Sequence, residues 1–366
     1  MPRSPAQLPR CEIRSGLTSH IPLMSLPHSI DTLIIGAGPI GLACAISARR
    51  RGVETLVIDA GVIVNSIADY PVGMQFFTTA ERLEIGGHPF PSVSHRPTRE
   101  EALAYYRGVV RAETLDVRTG IRLTGAVRRG DAFVAELATL AGPATVTAKR
   151  LVLATGYFDH PNLLDVPGES LPHVRHYFEE PHRTAGQRVV IVGGKNSAIE
   201  AALLAFRAGA QVTLVHRAAD FKPTVKYWLR PDFDNRVAAG EISARMSASV
   251  TAISATAVTI SDVTGVTEQL PADRVYLLTG FHPDFGLLRG LGVQLDPASG
   301  RAVTNPATLE SNVPGLFLAG SVASGRMISE VFIENGRLDG EKIFGDAATR
   351  ATAEQRYARS PRPVGE

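Results

Sequence analysis

Glycines at positions 36, 38 and 41 followed by a carboxylate at position 59 are a set of residues that can hold a dinucleotide. In DTLIIGAGPIGLACAISARRRGVETLVID (31–59) the apolar run Leu33 to Ile35 feeds the glycines, an apolar helical pattern follows to Arg51, and a second apolar run closes on Asp59. Gly36 permits the tight turn. Gly38 lets a pyrophosphate approach the backbone at the helix N-terminus, and Gly41 allows the helix to pack closely on the strand. Asp59 stands 23 residues past Gly36, where a carboxylate can accept both ribose hydroxyls of the nucleotide.

The same order of strand, glycine turn, helix and strand recurs 157 residues later. IVGGKNSAIEAAL (191–203) lies over IIGAGPIGLACAI (34–46), Gly209 over Gly52, and Val212 to Val215 over Thr55 to Ile58. AKRLVLATG (148–156) and ADRVYLLTG (272–280) close the two halves at an offset of 124, so the first half carries 33 additional residues between finger and closing strand. This pattern specifies an α/β fold with two Rossmann-like dinucleotide-binding domains, the second inserted in the first. The expected segments are 29–163 and 282–350 for the first domain and 164–281 for the second. Residues 1–28, rich in proline, and 351–366, rich in arginine and proline, are expected to be a disordered leader and tail.

The two fingers differ in charge. At the offset of 157, His216 replaces Asp59 and is followed by Arg217, with Lys222 and Lys226 close behind. A carboxylate there would repel a 2′-phosphate, whereas a His-Arg pair attracts it, so the second site should prefer NADPH to NADH. Within that finger, Gly193, Gly194, Lys195, Asn196 and Ser197 form the turn and helix start, and Lys195 offers a cation to the pyrophosphate where the first finger has Gly38.

Several stretches must position these groups. VNSIADYPVGMQFFTTAERLEIGG (64–87) has no clean period, mixes aromatics with polar residues, and suits the covering of a bound cofactor. Thr98 to Glu101 reads as a capping box for a helix through Glu113. Alternating segments at 121–127, 132–137 and 144–148 read as a small β-meander, which leads into the buried run Leu151 to Ala154 and then Thr155-Gly156.

Composition narrows the function classes. With 366 residues and 44 % hydrophobic content the chain can build sizeable cores, and a net charge of +2, from 38 basic and 36 acidic residues, argues against nucleic acid or a membrane surface as partner. Two cysteines, Cys11 and Cys44, give neither a disulfide framework nor a cysteine-based metal site, and a cytoplasmic protein is the default expectation.

From residue 29 to 348 the chain resembles the two-dinucleotide-binding-domain flavoproteins, the thioredoxin reductases and their relatives, and more closely the bacillithiol disulfide reductase family. The segments that carry the resemblance are NSI (65–67), Tyr70-Pro71, FF (76–77), LEIG (83–86), ATGYFDHPN (154–162), VPGE (166–169), LPHVRHYF (171–178), GGKNSA (193–198), TGFHPD (279–284) and EVFIENGR (330–337). It implies FAD in the first unit, NADPH in the second, a small bacillithiol-type disulfide as electron acceptor, and assembly as a homo-oligomer. It also implies that Gly36, Gly38, Pro39 and Gly41 hold the FAD pyrophosphate and Asp59 the adenosine ribose. Asn65 and Ser66 would face the flavin side, with Thr155 and Gly156 close to the cofactor. Gly320-Ser321 stands where most relatives carry Gly-Asp on the ribityl chain. Glu330 and Val331, opening the last helix, correspond to positions whose backbone meets the flavin pyrimidine.

The chain departs from its relatives in its thiols. It has no C-x-x-C, and Ile40 occupies the position after Gly38-Pro39 where members of the bacillithiol group often carry cysteine. Cys44, four residues further on, lies in an alanine-rich stretch expected to face the sheet. Electrons should then reach the acceptor with no protein disulfide between. Three other readings stay open: an NADPH reductase of ferredoxin, flavodoxin or quinones, a flavin monooxygenase, and a cofactor-binding sensor without turnover. The sequence singles out no catalytic side chain; His282 is the nearest candidate proton donor and is equally a hinge or surface residue.

Overall fold

The computed structural model describes residues 25–326 and 331–359. Cys11, Glu330 and the rest of 1–24, 327–330 and 360–366 lie outside the described residues.

The first unit runs β1 (Ser29–Ile35), α1 (Pro39–Arg49), β2 (Thr55–Asp59), α2 (Asn65–Ala68), α3 (Ala80–Leu83), α4 (Arg99–Ala112), β3 (Val117–Thr119), β4 (Ile121–Arg129), β5 (Ala132–Thr139) and β6 (Gly142–Leu153). The second runs β7 (Val174–Arg175), β8 (Arg188–Val192), α5 (Asn196–Arg207), β9 (Gln211–His216), α6 (Arg230–Ala238), β10 (Ile242–Met246), β11 (Ala248–Ile253), β12 (Ala257–Asp262), β13 (Thr267–Pro271) and β14 (Arg274–Leu277). The chain then returns to the first unit with α7 (Phe285–Gly290), β15 (Leu316–Leu318), α8 (Ile333–Gly336), α9 (Asp339–Phe344) and α10 (Ala347–Arg359).

In the first sheet the order is β3-β2-β1-β6-β5-β4, with β15 also on β6. Strands β1, β2, β3, β6 and β15 pair in parallel, while β4, β5 and the first half of β6 pair antiparallel. The expected meander is present as β4-β5-β6 and runs on into the parallel part of the sheet. Its third segment and the buried residues Leu151 to Leu153 form one strand of 12 residues, which ends before half-buried Ala154; its polar alternation serves β5 and its apolar end serves β1 and β15. In the second sheet all four pairings of β10-β9-β8-β14-β7 are parallel, and β11-β12-β13 form a separate antiparallel sheet.

Helix α1 shows why small residues dominate the first finger. Eight of its 11 residues are buried, and no hydroxyl caps its start, which is left to extended Gly38 and to Pro39. A helix covered on more than one side needs alanine where neighbours press close. On the side of α9, a Cβ on Gly340 would lie 2.8 Å from the Cα of Cys44, so Cys44 is enclosed by α9 and also lies in the core shared with the sheet residues Ile34, Val57 and Val152, as expected from the sequence. Leu42 and Ile46 fill the remaining volume at 0 % and 1 % exposure, and truncating either to alanine would cost roughly 2–5 kcal/mol.

Helix α4 begins with the capping box read from the sequence, Thr98 accepting from the Glu101 N–H and Glu101 from the Thr98 N–H. At the other end of the chain, two expectations are corrected. The segment 351–359 is not a loose tail: Asp346 caps α10 at the Thr349 N–H, Ala353 is buried, and Glu354 pairs with Lys342 of α9 at 2.5 Å. Alanines at 347, 348, 351, 353 and 358 supply the helix propensity, which the arginines and prolines nearby obscure in the composition. Nor does one last helix follow Val331, because α8 has only four residues and two more helices come after it.

Candidate functional site

Packing dictates two of the three glycines in the first finger. A Cβ on Gly36, whose φ is +108°, would stand 2.4 Å from the Ala154 carbonyl oxygen, and one on Gly41 would stand 1.9 Å from the Gly36 oxygen. Gly38 meets nothing within 4 Å, so its backbone is bare on the side where α1 begins. Asp59 braces this turn: Oδ2 accepts from the Ala37 N–H at 2.7 Å and Oδ1 from the Gly61 N–H at 2.8 Å. Burial raises its pKa, opposed by those two hydrogen bonds. Each oxygen keeps a further lone pair for a ribose hydroxyl.

The C-terminal return completes the wall. A Cβ on Gly156, at φ +69°, would lie 3.8 Å from Ser321 Oγ. The Thr155 hydroxyl is buried and has no partner in the structure. Gly320 donates its N–H to Asp339 Oδ2 at 2.7 Å, and Ile40 lies so close that a Cβ on Gly320 or Gly336 would come within 2.6 Å or 2.5 Å of its Cδ1. Thr155, Gly156, Gly320, Ser321 and the finger thus meet. A bare backbone at a helix N-terminus beside an unsatisfied hydroxyl fits the pyrophosphate and ribityl groups of FAD.

The placement of the next two residues differs in kind. Asn65 turns back on its own loop, accepting from the Val62 N–H at 3.2 Å and donating to Asp69 at 2.9 Å, while Ser66 is half-buried. Val331 is half-buried and precedes α8 by one residue, Phe332.

In the second finger, a Cβ on Gly193 would stand 2.6 Å from the Leu278 oxygen, and one on Gly194 would fall 2.0 Å from His216 Cε1. The His216 ring also stacks on Phe221 at 5.5 Å. Burial lowers its pKa, as do Arg217 and Lys222, against the opposing pull of Asp220. Lys195, at the N-cap of α5, is lowered first by burial and then by Lys222 and Arg217. Those cations share one field. Ser197, Arg217 and Lys222 are exposed, and Asn196 Oδ1 accepts from the Lys226 N–H at 2.9 Å. Lys226 itself is 6 % exposed, with its ammonium 5.7 Å from the Trp228 ring centroid, so it does not join the exposed cations as its spacing suggested.

The thiol is shut away. Cys44, the cysteine among the described residues, is fully buried, and burial pushes its pKa well up, reinforced by Asp339 and Glu341. His282 stacks on Phe285 at 5.2 Å, and its Nδ1 lies 2.7 Å from the Pro283 oxygen. With His160 it lines a cleft of about 470 Å³ between the two crossing segments, which pair at Pro161 and Phe281. The role of Asp339 was not legible: an Asp-Gly pair late in the chain carries no spacing signal, and only the folded structure brings it to Gly320.

No helix among the described residues is long and apolar enough to cross a membrane. The pyridine nucleotide-disulphide oxidoreductase family model matches residues 33–320. The bacilliredoxin reductase Bdr of Bacillus subtilis (strain 168) is 39 % identical over 319 residues, covering 87 % of this chain and 97 % of that protein. The bacillithiol disulfide reductase Bdr from Bacillus cereus superposes with a TM-score of 0.84 at 39 % identity, covering 90 % of this chain and 99 % of that one. The corresponding protein from Staphylococcus aureus gives a TM-score of 0.83 at 35 % identity over 92 % of this chain and 100 % of that one. Relatives of this kind are FAD-binding, NAD(P)H-dependent oxidoreductases. The chain belongs to the pyridine nucleotide-disulphide oxidoreductase family, and within it to the bacillithiol disulfide reductases of the thioredoxin reductase-like flavoproteins.

Proposed function

We propose that this protein uses NADPH to reduce a bacillithiol-type disulfide, with FAD held by the first finger and no cysteine of its own in the path. The observation that carries the reading is the contrast between the two ribose ends, a buried carboxylate at Asp59 and a cluster of Lys195, Arg217 and Lys222 around His216. Only the second end attracts a 2′-phosphate.

When bound, FAD supplies the hydride-accepting and hydride-donating chemistry between the nicotinamide and the acceptor. The chain supplies position and charge. Gly38 would receive the pyrophosphate, Asp59 the ribose, and Thr155 and Ser321 the flavin-proximal hydroxyls, while Ile40 fills the contact between α1 and Gly320. In the second domain, Arg217 and Lys222 would hold the coenzyme's phosphate and Lys195 its pyrophosphate. Domain boundaries at 163/164 and 281/282 follow the two crossing segments and are part of the same proposal. Residence in the cytoplasm rests on the low cysteine content, and assembly as a homo-oligomer on the family resemblance; cell fractionation and sedimentation velocity test them.

The test is anaerobic NADPH consumption by the FAD-loaded protein with bacillithiol disulfide, a ferredoxin or a quinone as acceptor. Turnover with the disulfide above both others supports the proposal. Preference for ferredoxin or quinone would replace it with the corresponding reductase.

A further inference from the structure

We propose that Arg96 and Phe77, both carried by the first domain, position the coenzyme loop of the second domain by clasping Trp228. The proposal rests on the reading of 216–222 as the phosphate end of the NADPH site.

Trp228 is the single tryptophan of the chain. The Arg96 guanidinium lies 3.7 Å above its ring centroid, and Phe77 packs on it at 6.2 Å with the planes tilted by 54°. These two residues are far from a loose surface contact. The Phe76 N–H donates to the Pro97 carbonyl at 2.9 Å, Gln75 pairs with Thr98, and Thr98 caps α4, so Phe77 and Arg96 are presented side by side by a braced pair of segments.

On the other side, Trp228 ends the loop that follows β9. Besides the Ala218 carbonyl, which accepts from the Ser247 N–H at 3.0 Å, and the Asp220 carboxylate, paired with Arg230 at 2.9 Å, three points along the loop hold it. Its start is held where Phe221 stacks on His216, its middle where Asn196 of α5 accepts from the Lys226 N–H, and its end where Trp228 meets the first domain. The first two points lie within the second domain. The third lies across the junction, where the Val72 N–H also donates to the Glu179 carbonyl at 2.8 Å. Between the first and second points stands Lys222, and Arg217 precedes them, both exposed. Freeing one end of such a loop leaves the coenzyme to order it on binding, which weakens affinity. The positioning residue Arg96 would thus act on NADPH without touching it.

The test uses the FAD-loaded full chain, with Arg96→Ala, Arg96→Lys and Arg217→Ala compared with wild type. Equilibrium titrations with NADP⁺ and NAD⁺ are read beside FAD content and Trp228 emission. Arg96→Ala should weaken NADP⁺ by about 3- to 30-fold, the span of a cation–π contact, with NAD⁺ changed less, FAD content unchanged and Trp228 emission altered. Arg96→Lys, which keeps the cation, should restore most of the affinity. If Arg217→Ala abolishes discrimination between NADP⁺ and NAD⁺ while Arg96→Ala binds NADP⁺ as wild type does, the clasp is overturned and the coenzyme site stands. If Arg217→Ala leaves discrimination intact, the site reading falls and the clasp with it.

Discussion

The imidazole of His216 occupies the space a side chain on Gly194 would need, 2.0 Å from Cε1 to the position of a Cβ. In the first finger the equivalent pair is Asp59 and Ala37, joined by a hydrogen bond of 2.7 Å from the Ala37 N–H. One finger couples turn to strand end by a carboxylate, the other by a ring lying on bare backbone. Gly194→Ala should therefore push His216 off Phe221 and raise the dissociation constant for NADP⁺ while FAD content stays at the wild-type level. Unchanged NADP⁺ binding would show that the ring is free to move aside.

Arg217→Ala should weaken NADPH far more than NADH, because only NADPH presents a 2′-phosphate to the guanidinium. A charge-assisted contact contributes about 1.5–3 kcal/mol, or roughly 10–150-fold. The check is the ratio of kcat/KM for the two coenzymes; equal losses would assign Arg217 to the fold.

Gly38→Ala separates fold from cofactor. Its backbone sits at φ −70°, which alanine accepts, and no protein atom lies within 4 Å of the added Cβ. The apoprotein should melt as wild type does, yet bind FAD at least roughly tenfold more weakly, since about 1.4 kcal/mol of crowding at the pyrophosphate suffices. Normal FAD affinity would remove the first finger from the site.

Asp339 gives the pH prediction. Burial pushes its carboxyl up to about 7, against the Gly320 hydrogen bond and Lys342, with Glu354 adding to the rise. The folded state thus holds a proton that the unfolded state releases near pH 3.8. Wild type is unpenalised below that pH, loses stability as pH rises from about 4 to about 7, and carries the full penalty above. Asp339→Asn, which can still accept from Gly320, should gain on wild type by up to about 4 kcal/mol at about pH 8 and by little near pH 4. Urea midpoints at the two pH values check this, and a gap that does not widen with pH would contradict it.

The glycine fingers, the repeat, the capping box at Thr98 and the charge contrast at Asp59 and His216 were legible because each is a local pattern tied to backbone geometry or charge. The burial of Lys226 was not, since its ammonium turns to Trp228 through a loop without period. Nor was the continuity of β6, where one strand changes partners midway and its alternation changes with them. The α10 helix was hidden by neighbouring arginines and prolines. Asp339 and the Arg96–Trp228 contact join residues remote in sequence, and no spacing rule reaches that far.

In the proposed reaction electrons reach the acceptor with no protein thiol between, Cys44 being sealed beneath Gly340 with its thiol held protonated. The most direct measurement is turnover of a Cys11→Ser/Cys44→Ser double variant with NADPH and bacillithiol disulfide. Wild-type kcat in a variant that retains FAD is the predicted result. A variant that retains FAD and is reduced by NADPH, yet no longer reduces the disulfide, would contradict direct transfer and place a cysteine in the path.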